Sequence, residues 1–416
     1  MFIRTQHDRL RRLYDEFPRP FWTLVIVTFI DRLGGFLLFP FFALYISKKF
    51  DVGMTQVGVL FAFFSFSSFI GTAIGGAVTD RFGRKWILIF SLISTSLSSV
   101  IMGLVDSLQA FFMLALMVGV FTDAGGPAYQ AMVADLLPEE KRSQGFGLLR
   151  VALNLSATLG PAIGGLLATH SYLLLFIADA VISLISASLV FLALPETRPQ
   201  AVAGLSSHSM GSTFKGYFQV LRDRVFILFV GVSMLSVLVY MNLNTTLGVY
   251  LRDTHAVPES GYGLLISANA ILVVLLQFPI TRRIESNPPM VMMALGTLLY
   301  AIGFVMYGFV SVYVLFLLAM VIITFGEMVV IPVAQALVSR LSPEEMRGRY
   351  MAIFGFSWGI PFAVGPMLAG LIMDNLNPDL LWYASGVVGI LAVIGYLCLH
   401  RPVKTALQAL EEKSMS

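Results

Sequence analysis

The feature that most narrows what this chain can fold into is an internal repeat: its second half restates its first at a constant offset of 205 residues. Pro127-Ala-Tyr-Gln-Ala-Met-Val-Ala-Asp-Leu-Leu-Pro-Glu-Glu-Lys-Arg142 returns as Pro332-Val-Ala-Gln-Ala-Leu-Val-Ser-Arg-Leu-Ser-Pro-Glu-Glu-Met-Arg347. Between 127–165 and 332–370, 12 of 39 ungapped positions are identical, which carries Gly160-Pro161 onto Gly365-Pro366. The offset also places Tyr45 on Tyr250 and Gly58 on Gly263, so the duplicated unit is most of the polypeptide. Such a chain is expected to fold as two like halves.

Composition puts that duplication in a bilayer. Hydrophobic residues are 57% of the chain, charged residues 12%, and 34 of 416 positions are Phe, far from the soluble average. Apolar runs recur at roughly 21–47, 55–79, 86–105, 109–134, 144–169 and 171–194, then at 225–251, 261–281, 290–309, 312–338, 350–373 and 380–399. Each can cross a hydrocarbon core of about 30 Å, which predicts an all-α membrane protein with twelve transmembrane helices in two pseudo-symmetric six-helix bundles. With the N-terminus inside, inner segments hold 22 Lys and Arg, and the outer loops hold only Lys48, Lys49 and Arg252. That asymmetry predicts an N-in, C-in topology.

The net charge of +3 therefore reports orientation, and no basic stripe with interleaved aromatics points to nucleic acid. The first apolar run is too long for a signal-peptide core and lacks a small-residue cleavage site, so it is expected to remain as the first span. Cys398 is the single cysteine, the five histidines never pair at metal spacing, and neither a metal nor a cofactor is expected. No Gly-x-x-x-x-Gly-Lys-Ser/Thr stretch marks an ATPase, and the chain is not expected to be an enzyme. The expected organisation is a cytoplasmic segment at 1–20, a bundle at 21–194, a linker at 195–224, a second bundle at 225–400 and a cytoplasmic tail at 401–416. Arg9–Leu13 and Phe214–Arg224 mix apolar and basic positions and should lie on the inner membrane surface.

Gly76-Ala-Val-Thr-Asp80-Arg81-Phe-Gly83-Arg84-Lys85, between spans two and three, resembles the cytoplasmic signature of the major facilitator superfamily. Gly160-Pro161-Ala-Ile-Gly164-Gly165 in span five is similar to that family's antiporter motif, and Gly365-Pro366 repeats its core in span eleven. The resemblance covers the whole chain and is nearest to the twelve-span drug:proton antiporters. It implies alternating access by two rocking bundles in the inner membrane, protons and an amphipathic small molecule as partners, and a monomer.

The resemblance also gives the first motif a role as a cytoplasmic latch. Asp80 would meet the N-terminus of span eleven near Gly348, and Arg84 would reach Asp135. The alternative is that Arg81, Arg84 and Lys85 are ordinary inside-positive charges. The second-half counterpart, Thr281-Arg-Arg-Ile-Glu285, lacks the glycines, so the latch is expected on one side only. Gly160 and Pro161 either bend span five or simply admit a neighbouring helix.

Chemistry is expected where charge costs most. An ionisable side chain at the bilayer centre costs at least about 2.5–3.5 kcal/mol unless it is paired or faces water. Asp31 and Arg32 lie in span one, Asp123 in span four, Arg150 in span five, Asp179 in span six and Glu327 in span ten. In the family, spans one, four, seven and ten line the cavity, which singles out Asp31, Arg32, Asp123, Asn242 with Asn244, and Glu327. Asp31, Arg32, Asp123 and Arg150 have a competing reading as a static neutralising network. Glu327 has no membrane-embedded base in its own half, and Asp179, on an outer helix of the bundle, reads as structural or is left unexplained. The expected function is proton-coupled efflux of lipophilic or cationic compounds. The alternatives are a sugar, lipid or peptide carrier and, from a different class, a non-transporting receptor or scaffold; Asp31-Arg32 faintly echoes the Glu-x-x-Glu-Arg of peptide transporters, with Thr28 where the first Glu should stand.

Overall fold

The structure, a computed structural model, describes residues 14–197, 217–343 and 346–415. Arg9–Leu13 and most of the linker fall outside the described residues. Twelve helices are long and apolar enough to span a membrane: α1 Arg19–Phe50, α2 Met54–Phe82, α3 Arg84–Leu104, α4 Leu108–Leu136, α5 Glu139–His170, α6 Tyr172–Ala193, α7 Arg224–Thr245, α8 Glu259–Ile284, α9 Pro289–Tyr307, α10 Tyr313–Leu341, α11 Arg347–Asn375 and α12 Asp379–Met415. No strand occurs among the described residues. Lipid offers backbone groups no partners, so every N–H and C=O must be satisfied within its own segment, and the helix does that.

Two spans are broken where their sequences demand it. In α1, Phe39-Pro40-Phe41 forms a 3-10 turn, because a proline has no N–H to donate to the helical ladder. In α4, a regular helix ends at Asp123 and resumes at Gly125, where Gly125-Gly126-Pro127 are the poorest helix formers available. The break leaves Asp123 at a helix end in the middle of its span. A short outer helix, Leu247–His255, extends α7 and ends at Ala256 in the left-handed conformation.

The repeat survives as packing. α1 lies on α5 and α6, and α7 on the equivalents α11 and α12. The Tyr45 hydroxyl donates to the Met102 carbonyl at 2.9 Å, and Tyr250 donates to the Tyr307 carbonyl at 2.9 Å, so one hydrogen bond appears twice at the sequence offset. Gly160 and Gly164 seat the backbone of α1: a Cβ on Gly160 would stand 2.6 Å from Phe36 Cβ, and one on Gly164 would strike the Leu37 carbonyl. Gly160 and Gly164 of the antiporter-like motif thus pack closely on α1.

The described chain divides into two compact units. Unit 1 takes in the described parts of Met1–Tyr45, Phe63–Val202 and Glu259–Ser267, and unit 2 those of Ile46–Ala62, Ala203–Pro258 and Ala268–Ser416. Within unit 1 the start of α8 lies on α5, where Gly263 meets the Pro161 carbonyl and a Cβ on Gly165 would stand 2.9 Å from the Glu259 carbonyl. Within unit 2 the start of α2 lies on α11, where Gly58 meets Pro366 and Met367, and Gly370 meets Met54 and Thr55. These seams are copies of each other at the same offset. In the second seam a carboxylate caps the incoming helix: Asp374 accepts from the Met54 and Thr55 amides at 2.8 and 2.7 Å.

Candidate functional site

In unit 1 a cavity of about 430 Å³ opens between α1, α3, α4 and α6, and Asp31, Arg32, Asp123 and Asp179 all line it. α1 brings Asp31 and Arg32, the break in α4 turns Asp123 to the cavity, and α6 brings Asp179. Asp179 is only 4% exposed. Ser99 of α3 donates to its Oδ2, while Oδ1 lies 2.6 Å from where a Cβ on Gly34 would stand. The glycine is what lets this carboxylate lie against α1. Thr28 and Tyr129, joined at 2.8 Å, add hydroxyls to the same wall.

Charge in the cavity is not balanced. Arg32 Nε stands 4.0 Å from Asp31 Oδ2 with its side chain 57% exposed, a loose pairing of sequence neighbours that do not face each other on a helix. Arg150 is exposed, does not line the cavity and forms no ion pair with Asp123 among the described residues. The four-membered static network is therefore not formed. Asp179, which the sequence left as structural or unexplained, lines the same cavity as Asp31, Arg32 and Asp123.

Unit 2 holds a second acid in a different setting. Glu327 Oε2 accepts from Asn269 Nδ2 of α8 at 2.7 Å, and that amide also reaches Thr324 Oγ1 at 3.0 Å. Tyr240 of α7 lies beside the carboxylate, and its ring packs on Tyr300 at 5.3 Å and Trp358 at 6.0 Å. Among the described residues no base pairs with Glu327. Asn242 is not part of this group: it is buried and donates to Ser385 of α12 at 3.3 Å, and Asn244 makes no hydrogen bond to Glu327. Asn269 and Tyr240 were not found in the sequence because attention rested on spans one, four, seven and ten and on charge: Asn269 lies on α8, and Tyr240 reads as one aromatic among many.

At the inner end of unit 1, Arg84 is buried and its Nε donates to Asp135 Oδ2 at 3.2 Å, the contact the family resemblance implied. Gly83 has a φ of +99°, a conformation costly for any other residue. A further member of this cluster is Glu196, whose carboxylate accepts from the Arg84 and Lys85 amides at 2.8 and 3.2 Å and so caps the positive end of α3. Lys85 Nζ donates to the Phe191 carbonyl at 2.7 Å, and Arg81 is exposed. The surroundings of Gly76 and the side chain of Asp80 are not among the described features. No group of His, Cys, Asp and Glu able to hold a metal occurs among the described residues.

Twelve spanning helices, a repeat carried into packing and acids at mid-span define a polytopic membrane transporter fold. The Major Facilitator Superfamily model matches residues 24–251 and 230–414, and the chain belongs to that family. It is 27% identical over 397 residues to a Na(+), Li(+), K(+)/H(+) antiporter of Planococcus maritimus, covering 88% of this chain and 91% of that protein. It is 24% identical over 377 residues to the multidrug resistance protein MdtH of Shigella flexneri, covering 88% and 90%. Among solved structures, the nucleoside transporter NupG superposes with a TM-score of 0.78 at 14% identity, covering 91% of this chain and 99% of that one. The protein is a multi-pass membrane transporter, and its bacterial relatives place it in the inner membrane.

Proposed function

We propose that the protein is a secondary active antiporter that exports cations in exchange for protons. The observation that carries this reading is the unit 1 cavity, where Asp31, Asp123 and Asp179 from three helices face one space and the nearby base, Arg32, is more than half exposed. A cation and a proton compete for the same negative charge, and that competition is what couples their opposite fluxes. A membrane potential of 100 mV supplies about 2.3 kcal/mol per charge moved, to which a proton gradient adds.

Two cargo classes fit, each with its own support. Carboxylates are hard groups that attract small inorganic cations, and in this cavity they would act through their charge rather than as a preformed ligand cage; one relative is named as an antiporter of Na(+), Li(+) and K(+). Glu327 beside Tyr240, Tyr300 and Trp358 suits an organic cation held partly by ring faces, and another relative is named for multidrug resistance. The test is proton flux in everted vesicles with an acidic lumen, read by a pH-quenched acridine dye. Alkali chlorides or tetraphenylphosphonium added outside should release the quench with the wild type and not with Asp179→Asn. An undiminished response in that variant would remove the unit 1 acids from the coupling step.

A further inference from the structure

Unit 2 has a second concavity, of about 350 Å³, formed by the α8–α9 connection, the last turn of α10 and one face of α12. Its charged lining is Arg340 from α10, His400 and Lys404 from α12, and Glu285 from the connection. His400 and Lys404 are four residues apart and so share a helical face. Neither they nor Glu285 form an ion pair among the described residues. α9 begins at Pro289, so its first N–H belongs to Met290, which also lines the space. The dipole of α9 therefore adds positive potential to the same place. Beneath the bases lie the buried side chains of Met290, Val403 and Leu407. The volume falls in the range of ligand pockets, about 300–1,000 Å³.

The geometry points to a binding site for a phosphate-bearing anion, separate from the acid cavity and from Glu327. Among the described residues, two permanent cations and a histidine from two helices line this space with one acid, Glu285, beside a helix N-terminus and over an apolar floor. The inside-positive topology puts these helix ends at the cytoplasmic surface, the level of the inner-leaflet headgroups, where basic clefts between spans hold anionic lipids. The phosphate can come from such a lipid or from a soluble molecule, and the chemistry of the site is shared.

The test is ligand retention by native mass spectrometry on the purified full-length protein. It is titrated with phosphatidylglycerol, with phosphatidylcholine and, in a separate arm, with inorganic phosphate. Phosphatidylglycerol should be retained over phosphatidylcholine, and Arg340→Gln with Lys404→Gln should weaken that retention about thirtyfold, the loss of two surface charges. Arg282→Gln with Arg283→Gln removes the same charge outside the pocket and should leave retention unchanged. Glu285→Gln should strengthen it. If inorganic phosphate binds and the lipid does not, with the same dependence on Arg340 and Lys404, the site stands with a soluble ligand. Equal retention by the wild type and the Arg340/Lys404 variant, or an equal loss in the Arg282/Arg283 control, would overturn it.

Discussion

Asp179 shows what a residue can hide from a sequence. Its charge was legible, but its direction was not, because only the approach of α6 to α1 over Gly34 turns it into the cavity that Asp31 and Asp123 line. Gly34→Ala should therefore act as a coupling variant: its Cβ meets Asp179 Oδ1 at 2.6 Å and Ile182 at 3.1 Å, and overpacking of this kind costs about 1–3 kcal/mol. A lower thermal midpoint together with weakened cation-dependent proton flux is expected; unchanged flux would mean that the carboxylate's position is not required. Glu327→Gln keeps the side-chain shape and the oxygen that accepts from Asn269, so folding should persist while transport of organic cations driven by a pH gradient is lost, checked by vesicle accumulation. A third residue-scale expectation lies at the outer surface. Burial holds the His255 imidazole below its ordinary value of 6.5, with Asp379 pulling the other way. The unfolded chain then binds the proton more readily than the fold, so stability near the outer helix should fall as pH drops through about 6.5 and below. Hydrogen exchange over Leu247–His255 should quicken on acidification in the wild type and show no such pH step in His255→Gln.

At the scale of elements, hydropathy located all twelve helices, since the bilayer imposes one length and one backbone solution on each. What it left open was how they meet. Glu196 sits in a stretch that reads as linker, yet its carboxylate caps α3 directly after the positive-φ Gly83, beside the Arg84–Asp135 ion pair. Charge pattern alone cannot reveal a cap supplied by a residue more than a hundred positions away. Glu196→Ala should cost about 1 kcal/mol at that helix end, seen as faster exchange of the first amides of α3 while those of α9 are unaffected. The duplicated glycine seams were legible only as repeated letters. Their meaning, backbone against backbone at Gly58 with α11 and at Gly263 with α5, needed coordinates.

For the whole molecule, the repeat was the strongest statement in the sequence, and it holds down to single hydrogen bonds at Tyr45 and Tyr250. The chemistry departs from that symmetry. Glu327 falls on Thr122 and Asp123 on Met328 under the 205-residue offset, so each unit carries its own acid in its own surroundings: oxygen-rich around Asp31, Asp123 and Asp179, amide and aromatic around Glu327. Two like scaffolds with unlike acids suit a transporter in which protons and cations compete for charge. The most direct test of that competition is the proton released when a cation binds the purified protein in weakly buffered detergent solution, read by a pH indicator. Sodium, potassium or tetraphenylphosphonium should acidify the medium with the wild type and leave it unchanged with Asp31→Asn/Asp179→Asn. A full release from the double variant, or none from a folded wild type that binds the cation, would contradict exchange at these carboxylates.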